Sequence, residues 1–287
     1  MDVHAYMAER IPQIDAGIEA RFAEEAAMPT SLRGAMRHLL FPGGKRLRPI
    51  FALAAAEAVG GTSADAMPVA VAVELVHTYS LIHDDLPCMD DDATRRGRPT
   101  VHVAYDEATA VLAGDGLLSE AFAVMTAEGV ATTHPEAVIF AVRTLAEASG
   151  AGGLVGGQAD DLLFSLDPSD SSQGTDHARL ASIHARKTAA LFSAAIVGGA
   201  ALAGAGESER ATLGAFAMDV GIAFQIADDL LDADSEEAAS ILRLQGLEDA
   251  KQGAEGLLDQ ALLRIEDLCE RAEPLRELAR FAVRRNR

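Results

Sequence analysis

Apolar residues along this chain recur mostly three and four positions apart. Between residues 2 and 25, Ile11, Ile14, Ile18 and Phe22 fall on one helical face. The same period predicts helices over 31–40, 50–59, 65–86, 107–128, 135–148, 177–204, 207–234, 248–271 and 273–284, and one more that carries Gln158 and Asp161. Ser31 is the expected N-cap of the second helix. Pro42-Gly43-Gly44 and Gly60-Gly61-Thr62 punctuate the pattern, and 166–175 reads as a polar loop. No hairpin-type alternation occurs. Abundant alanine and few β-branched runs favour helix. The expectation is an all-α fold, a single domain over residues 1–287 built as one large helical bundle. Ala189 to Gly206 is long and apolar enough to raise the question of a membrane span. It is mostly alanine and glycine, encloses Ser193 and has no aromatic belt, so it is expected as a buried core helix.

Two stretches interrupt this pattern with acid. The first, from His77 to Thr100, sets Asp84, Asp85, Asp90, Asp91 and Asp92 ahead of Arg95, Arg96 and Arg98. Oxygen-rich clusters of this kind suit a hard divalent cation such as Mg²⁺. Guanidinium groups suit phosphate. The apolar approach through Leu75, Val76, Leu81 and Ile82 favours a buried helix end over a solvated acidic loop. Asp84 and Asp90 would be roughly 240° out of phase on an unbroken helix. Pro87 lies between them, so the helix is expected to end there and let Asp90 swing back.

The second stretch is Phe224-Gln225-Ile226-Ala227-Asp228-Asp229-Leu230-Leu231-Asp232. Asp228 and Asp232 share a helical face, while Asp229 points roughly 100° away. Two acidic helix ends facing each other would hold a multi-metal site. Elsewhere, a glycine turn leads into Lys45-Arg46-Leu47-Arg48-Pro49, where exposed N–H groups and two basic side chains would meet an anion or simply sit in solvent. Lys187 lies in an apolar helix and needs an anionic partner. Glu74 and His77 form one Glu-x-x-His pair, whereas a di-iron site needs two. His83 is either a support for the aspartates or a satisfied core histidine.

Taken together, Gly43-Gly44-Lys45-Arg46-Leu47-Arg48-Pro49, the first aspartate motif with Arg95-Arg96, Gly156-Gly157-Gln158, Lys187-Thr188, and Phe224-Gln225 with the second aspartate motif resemble the trans-polyprenyl diphosphate synthases of the farnesyl and geranylgeranyl type. The resemblance covers most of the chain. It implies a helical bundle of isoprenoid synthase type around a deep apolar pocket, and condensation of isopentenyl diphosphate with an allylic diphosphate (dimethylallyl or geranyl). It implies Mg²⁺ on Asp84, Asp85, Asp90, Asp228 and Asp232, about three ions per site with substrate bound. It places isopentenyl diphosphate on Lys45, Arg48, His77 and Arg96. Arg95, Lys187, Thr188 and Gln225 fall at the reacting centre, with Gln158 and Asp161 near the allylic substrate. Tyr79, five residues before Asp84, is expected to limit product length, giving farnesyl diphosphate, with geranylgeranyl diphosphate as the alternative. A class-I terpene synthase or a non-catalytic synthase subunit are the further alternatives.

Two further expectations come from the same resemblance. The basic tail Arg284-Arg285-Asn286-Arg287 falls near the isopentenyl diphosphate site. The lysine-bearing loop that follows the second aspartate motif is missing here, as if a segment were absent between Glu237 and Ala238. No lysine occurs between Lys187 and Lys251.

Composition narrows the partners. A net charge of −20 over 287 residues excludes a nucleic-acid binder, which needs a basic footprint. Anionic substrates then require local basic clusters and bound cations. Two cysteines, Cys88 and Cys269, make no disulfide framework and suit a reducing cytoplasm. Cys88 is expected to fill a packing gap. No basic region followed by an apolar core opens the chain, so neither a signal peptide nor stable membrane insertion is expected. The family resemblance also implies a homodimer.

Overall fold

The computed structural model describes residues 1–23, 27–131, 134–166, 173–231, 246–268 and 270–284. Helix α1 (Val3–Arg21) is capped by Asp2, whose carboxylate accepts from the N–H groups of His4 and Ala5. Helix α2 (Thr30–Leu40) starts one residue earlier than expected. Pro29, not Ser31, takes the N-cap position, and Ser31 lies within the first turn. Helix α3 (Leu47–Ala58) begins after Arg46, which adopts the left-handed conformation at φ 53°. Lys45 therefore stands ahead of the helix instead of opening it. Thr62 and Asp65 form a reciprocal capping box at the head of α4 (Ser63–Asp84).

The end of α4 carries the first aspartate motif, and the chain there folds back as Pro87 predicts. The Asp90 N–H donates to the Asp84 carbonyl at 2.9 Å, and the Met89 and Asp91 N–H groups donate to the Leu86 carbonyl. A two-stranded antiparallel ribbon follows, β1 (Thr94–Arg95) and β2 (Arg98–Pro99), which periodicity did not predict. Its turn is Arg96-Gly97, both at positive φ, the twist that a two-residue hairpin requires. The ribbon is too short to show alternation.

The remaining elements are α5 (Val101–Ala104), α6 (Glu107–Met125), α7 (Glu128–Ala131), α8 (Pro135–Ser149), α9 (Leu154–Leu166), α10 (Gln173–His184), a π-helical turn (Ala185–Ala189), α11 (Ala190–Leu202), α12 (Glu207–Leu231), α13 (Leu247–Arg264), a 3₁₀ turn (Glu270–Ala272) and α14 (Glu273–Arg284). Gln173 to Thr175, expected in a loop, open α10. The bundle is all-α apart from the ribbon.

Helix α11 sits at the centre, packed by α3, α4, α8 and α12. From Leu191 to Leu202 every residue but Ser193 is buried, so the long apolar run is core. Close contact there uses glycine: a Cβ on Gly199 would stand 2.4 Å from the Ala52 carbonyl oxygen of α3. Three other stretches, Ser63–Asp84, Glu107–Val130 and Pro135–Leu163, are long and apolar enough to cross a membrane by length and composition. The first is largely enclosed by the bundle, and the other two much less so. Asp232, the Glu237–Ala238 junction, Cys269 and residues 285–287 lie outside the described residues. Cys88 is exposed and fills no gap, because it follows the helix end on the turn out of the core.

Candidate active site

One cavity of about 220 Å³ gathers residues from five elements. Helix α4 lines it with His77, Ser80, Leu81 and Asp84, a stripe at i, i+3, i+4 and i+7. Arg48 enters from α3, Leu154 and Gln158 from α9, Lys187 and Thr188 from the π turn, and Phe224, Gln225 and Asp228 from α12. The structure thus brings together eight predicted residues: Arg48, His77, Asp84, Gln158, Lys187, Thr188, Gln225 and Asp228. Ser80 and Leu81 were legible from their spacing to His77 and Asp84, although sequence reasoning did not single out that stripe as a wall.

The cavity has a basic end. The Arg48 guanidinium stands 4.8 Å from the Phe192 ring centroid, a cation–π contact that fixes its plane. His77 is held neutral, its pKa pushed well below the ordinary 6.5 by burial and then by Arg48, Arg96, Arg95 and Arg46 around it. Lys45, three residues before Arg48, is exposed and is not part of the cavity wall. Arg96 donates to the Leu39 carbonyl at 3.1 Å and forms no ion pair among the described residues. Burial pushes its pKa down, helped by Arg46 and Arg95 against Glu74 and Asp85. Positive charge concentrated in this way can hold an anion. Arg284, expected near it, instead pairs with Glu255 of α13 at 2.7 Å.

The opposite end is acidic. The Asp84 carboxyl is pushed up to about 6, by burial first and then by Asp90 and Asp85, with Lys187 and Arg95 opposing. Asp90, more open, is pushed up too, by partial burial and by Asp161 and Asp92. The π turn delivers Lys187 between them, its ammonium 2.7 Å from Asp161. Burial would lower the Lys187 pKa, but Asp161, Asp84 and Asp90 outweigh it and raise it. This is the anionic company that an apolar helix demanded for a lysine. Beside it Arg186 pairs with Asp160. π turns insert a residue into the helical ladder, and here the turn lets Lys187 and Thr188 reach one cavity.

Behind the reacting end runs a chain of hydrogen bonds. Thr188 Oγ1 donates to Gln225 Oε1 at 2.6 Å, and Gln225 Nε2 donates to Asp229 Oδ1 at 2.8 Å. Asp229 therefore supports Gln225 from behind, as its 100° offset from Asp228 implies.

Asp85 faces Arg95 and does not line the cavity. It is 0% exposed, and its Oδ1 takes the Arg95 Nε–H at 2.5 Å. Arg95 also reaches Asp92 at 2.8 Å, so its fork is occupied by carboxylates. Glu74 is engaged by Arg46 at 2.6 Å, which disposes of the Glu-x-x-His alternative. His83 is a satisfied histidine: its Nε2 lies 3.0 Å from the Val111 carbonyl of α6. Tyr79 does not line the cavity. It is 4% exposed on another face of α4, with its ring edge-on to His83 at 5.7 Å.

Among the described residues, no three His, Cys, Asp or Glu side chains stand together as a ready-made metal site. The donor set nevertheless fits a hard cation. Asp84 and Asp228 face one cavity from opposite helices, and Asp84 is destabilised as an anion there. A buried oxygen with no donor among the described residues, Gln158 Oε1 on the cavity wall, adds acceptor capacity. Oxygen donors alone are what Mg²⁺ takes, with its remaining positions filled by water or phosphate.

Comparison with known proteins agrees with this geometry. The polyprenyl synthetase family pattern matches residues 29–258. Farnesyl diphosphate synthase of Bacillus subtilis is 45% identical over 233 residues, 81% of this chain and 76% of that protein. Geranylgeranyl pyrophosphate synthase 11 of Arabidopsis thaliana is 41% identical over 301 residues, 99% of this chain and 83% of that protein. That alignment is longer than this 287-residue chain, so the relative holds stretches with no counterpart here. The crystal structure of an FPP/GFPP synthase from Zymomonas mobilis superposes with a TM-score of 0.89 at 39% identity, covering 98% of this chain and 100% of that one. With the family pattern matching residues 29–258 and relatives of about 40% identity covering nearly the whole chain, the chain belongs to the polyprenyl synthetase family.

Proposed function

We propose that this protein is a prenyltransferase that joins isopentenyl diphosphate to an allylic diphosphate and releases a short trans-prenyl diphosphate. The observation that carries the reading is the two-ended cavity. Arg48 and His77 line it with Asp84, Asp228 and Lys187; the first pair would hold one diphosphate and the other three would organise a second. Apolar Leu81, Leu154 and Phe224 complete the wall. A cyclase acting on one diphosphate has no use for the basic end.

Asp84, Asp90 and Asp228 would hold Mg²⁺, with Asp232, four positions after Asp228 in the sequence, as a further candidate ligand and Asp85 acting through Arg95. When bound, Mg²⁺ supplies charge neutralisation to a leaving diphosphate. Lys187 adds preorganised positive charge at that end. The allylic C–O bond breaks and the diphosphate leaves with the electron pair. The Thr188 and Gln225 oxygens face the resulting carbocation. The isopentenyl double bond, presented from Lys45, Arg48, His77 and Arg96, then bonds to it. A proton lost from the adduct goes to the departing diphosphate. The apolar walls keep water from the cation.

The product we assign is farnesyl diphosphate, in line with the names of the Bacillus and Zymomonas relatives. The Arabidopsis relative keeps geranylgeranyl diphosphate as the second reading. A homodimer fits the exposed apolar positions Leu112 (57%) on α6 and Ile139 (68%) on α8. The cytoplasm suits the free thiol of Cys88. One of the stretches that the relatives hold and this chain lacks is assigned to the Glu237–Ala238 junction, with a lysine in it. The test is diphosphate release from dimethylallyl plus isopentenyl diphosphate with and without Mg²⁺, the products being separated by chain length. Release that needs no isopentenyl diphosphate would point to a cyclase, and no release would point to a non-catalytic subunit.

A further inference from the structure

Arg46 is charged, 2% exposed and no part of the cavity wall. Each nitrogen of its guanidinium donates a hydrogen bond. Nε donates to Asp15 of α1 at 2.9 Å, Nη1 to Glu74 of α4 at 2.6 Å, and Nη2 to the Leu40 carbonyl at the end of α2 at 2.6 Å. Arg46 itself precedes α3, so one side chain ties four helices together. Glu74 is also 2% exposed and lies one helical turn before His77.

The glycine loop is shaped by this arginine. A Cβ on Gly43 would stand 2.1 Å from the Arg46 guanidinium carbon, and one on Gly44 would stand 2.8 Å from Arg96 Nη2. The loop is therefore pressed between two guanidinium groups, and Lys45 and Arg48 leave it on either side of Arg46. A buried ion pair adds little net stability over an apolar pair of the same size, while it does fix geometry. A positive φ at Arg46 further shows that the backbone is held where an unconstrained arginine rarely sits.

We propose that Arg46, acting through Glu74, is a positioning residue for the isopentenyl diphosphate end of the cavity. It locks the loop that carries Lys45 and Arg48 to the helix that carries His77. The pair touches no substrate. This inference rests on the reading of that end as a diphosphate site.

The test is equilibrium titration of the full chain with two ligands, isopentenyl diphosphate and a non-ionising allylic thiolodiphosphate, alongside thermal melts. The variants are Arg46→Met/Glu74→Leu and Arg46→Lys. The double variant replaces the ion pair by apolar groups and is expected to melt within about 5 °C of the wild type. Its affinity for isopentenyl diphosphate falls by about 10–100-fold, as it does when a supporting partner is lost behind a ligand. Its affinity for the thiolodiphosphate changes less than about twofold. Arg46→Lys keeps the charge but not the fork, and weakens isopentenyl diphosphate binding alone. If the double variant does not fold, Arg46→Lys decides in the same titration. Wild-type affinity for isopentenyl diphosphate in a folded variant overturns the proposal, and so does equal weakening of both ligands. A wild-type chain that binds neither ligand overturns the prenyltransferase reading instead.

Discussion

Gly157 of α9 and Lys187 of the π turn are in backbone contact: a Cβ on Gly157 would stand 2.7 Å from the Lys187 nitrogen and 3.0 Å from its Cα. Neither atom belongs to a flexible tip that can move aside. Gly157→Ala is therefore expected to push the π turn away from α9 and carry Lys187 with it. Misplacement of about 1 Å at a reacting centre costs on the order of 100-fold in rate. Steady-state turnover at saturating substrates measures this, and circular dichroism checks that the helices persist. A wild-type rate would mean that the turn adapts.

The two halves of the Asp84-Asp85 pair are expected to fail differently. Asp84→Ala or Asp228→Ala removes a cavity carboxylate and should cut turnover by at least about 10²–10³-fold. Asp85→Asn loosens Arg95 instead, since Asp85 faces that arginine and not the cavity. Its turnover should fall by less, and the Mg²⁺ concentration for half-maximal rate should stay where it is. A large rise in that concentration would make Asp85 a metal ligand.

Stability of the metal-free protein should depend on pH through Asp84. Its carboxyl is raised from the ordinary 3.8 to about 6. The stability it confers is fully present below the ordinary value and is lost as pH rises through about 6. The loss at pH 7 is roughly 1–3 kcal/mol, less where solvent screens the group. Thermal melts in chelator from pH 4 to 8 should show this decline for the wild type, and less of it for Asp84→Asn. Asp84→Asn should then be the more stable protein at pH 7 and the less active one. Identical pH profiles for the two would show that Asp84 ionises normally.

Product length offers a fourth test. The Tyr79 hydroxyl is buried without a hydrogen-bond partner, and its pKa is pushed up to about 12 by burial and Asp84. Tyr79→Ala leaves a void on the α4 face that His83 shares. Longer prenyl products are expected from the same substrates, read by chromatography after dephosphorylation. An unchanged product would take Tyr79 out of length control.

The sequence carried the cavity further than its supports. Helical periodicity set most element positions, and Pro87 told where α4 ends and that Asp90 returns toward Asp84. The apolar setting of Lys187 required an anion, and Asp161 is there at 2.7 Å. Other features depend on contacts between residues far apart in the chain, which periodicity does not encode. Arg46 looks like any surface arginine until Asp15, Leu40 and Glu74 surround it. Nothing in the spacing tells that Arg95 turns back onto Asp85. The π turn has no composition of its own, and Arg96-Gly97 forms a ribbon too short for alternation to show.

His77 and Asp84 lie seven residues apart on one stripe of α4, about 10.5 Å along its axis. The helix is thus a ruler between the two diphosphate stations proposed for the cavity. Motion in the loops around the mouth leaves that interval unchanged, because both marks are cut on the same rod. A substrate pair that fits once fits at every cycle, while the chain that grows from it is accommodated elsewhere. Inserting or deleting a residue between the two marks would turn one of them by roughly 100° away from the other.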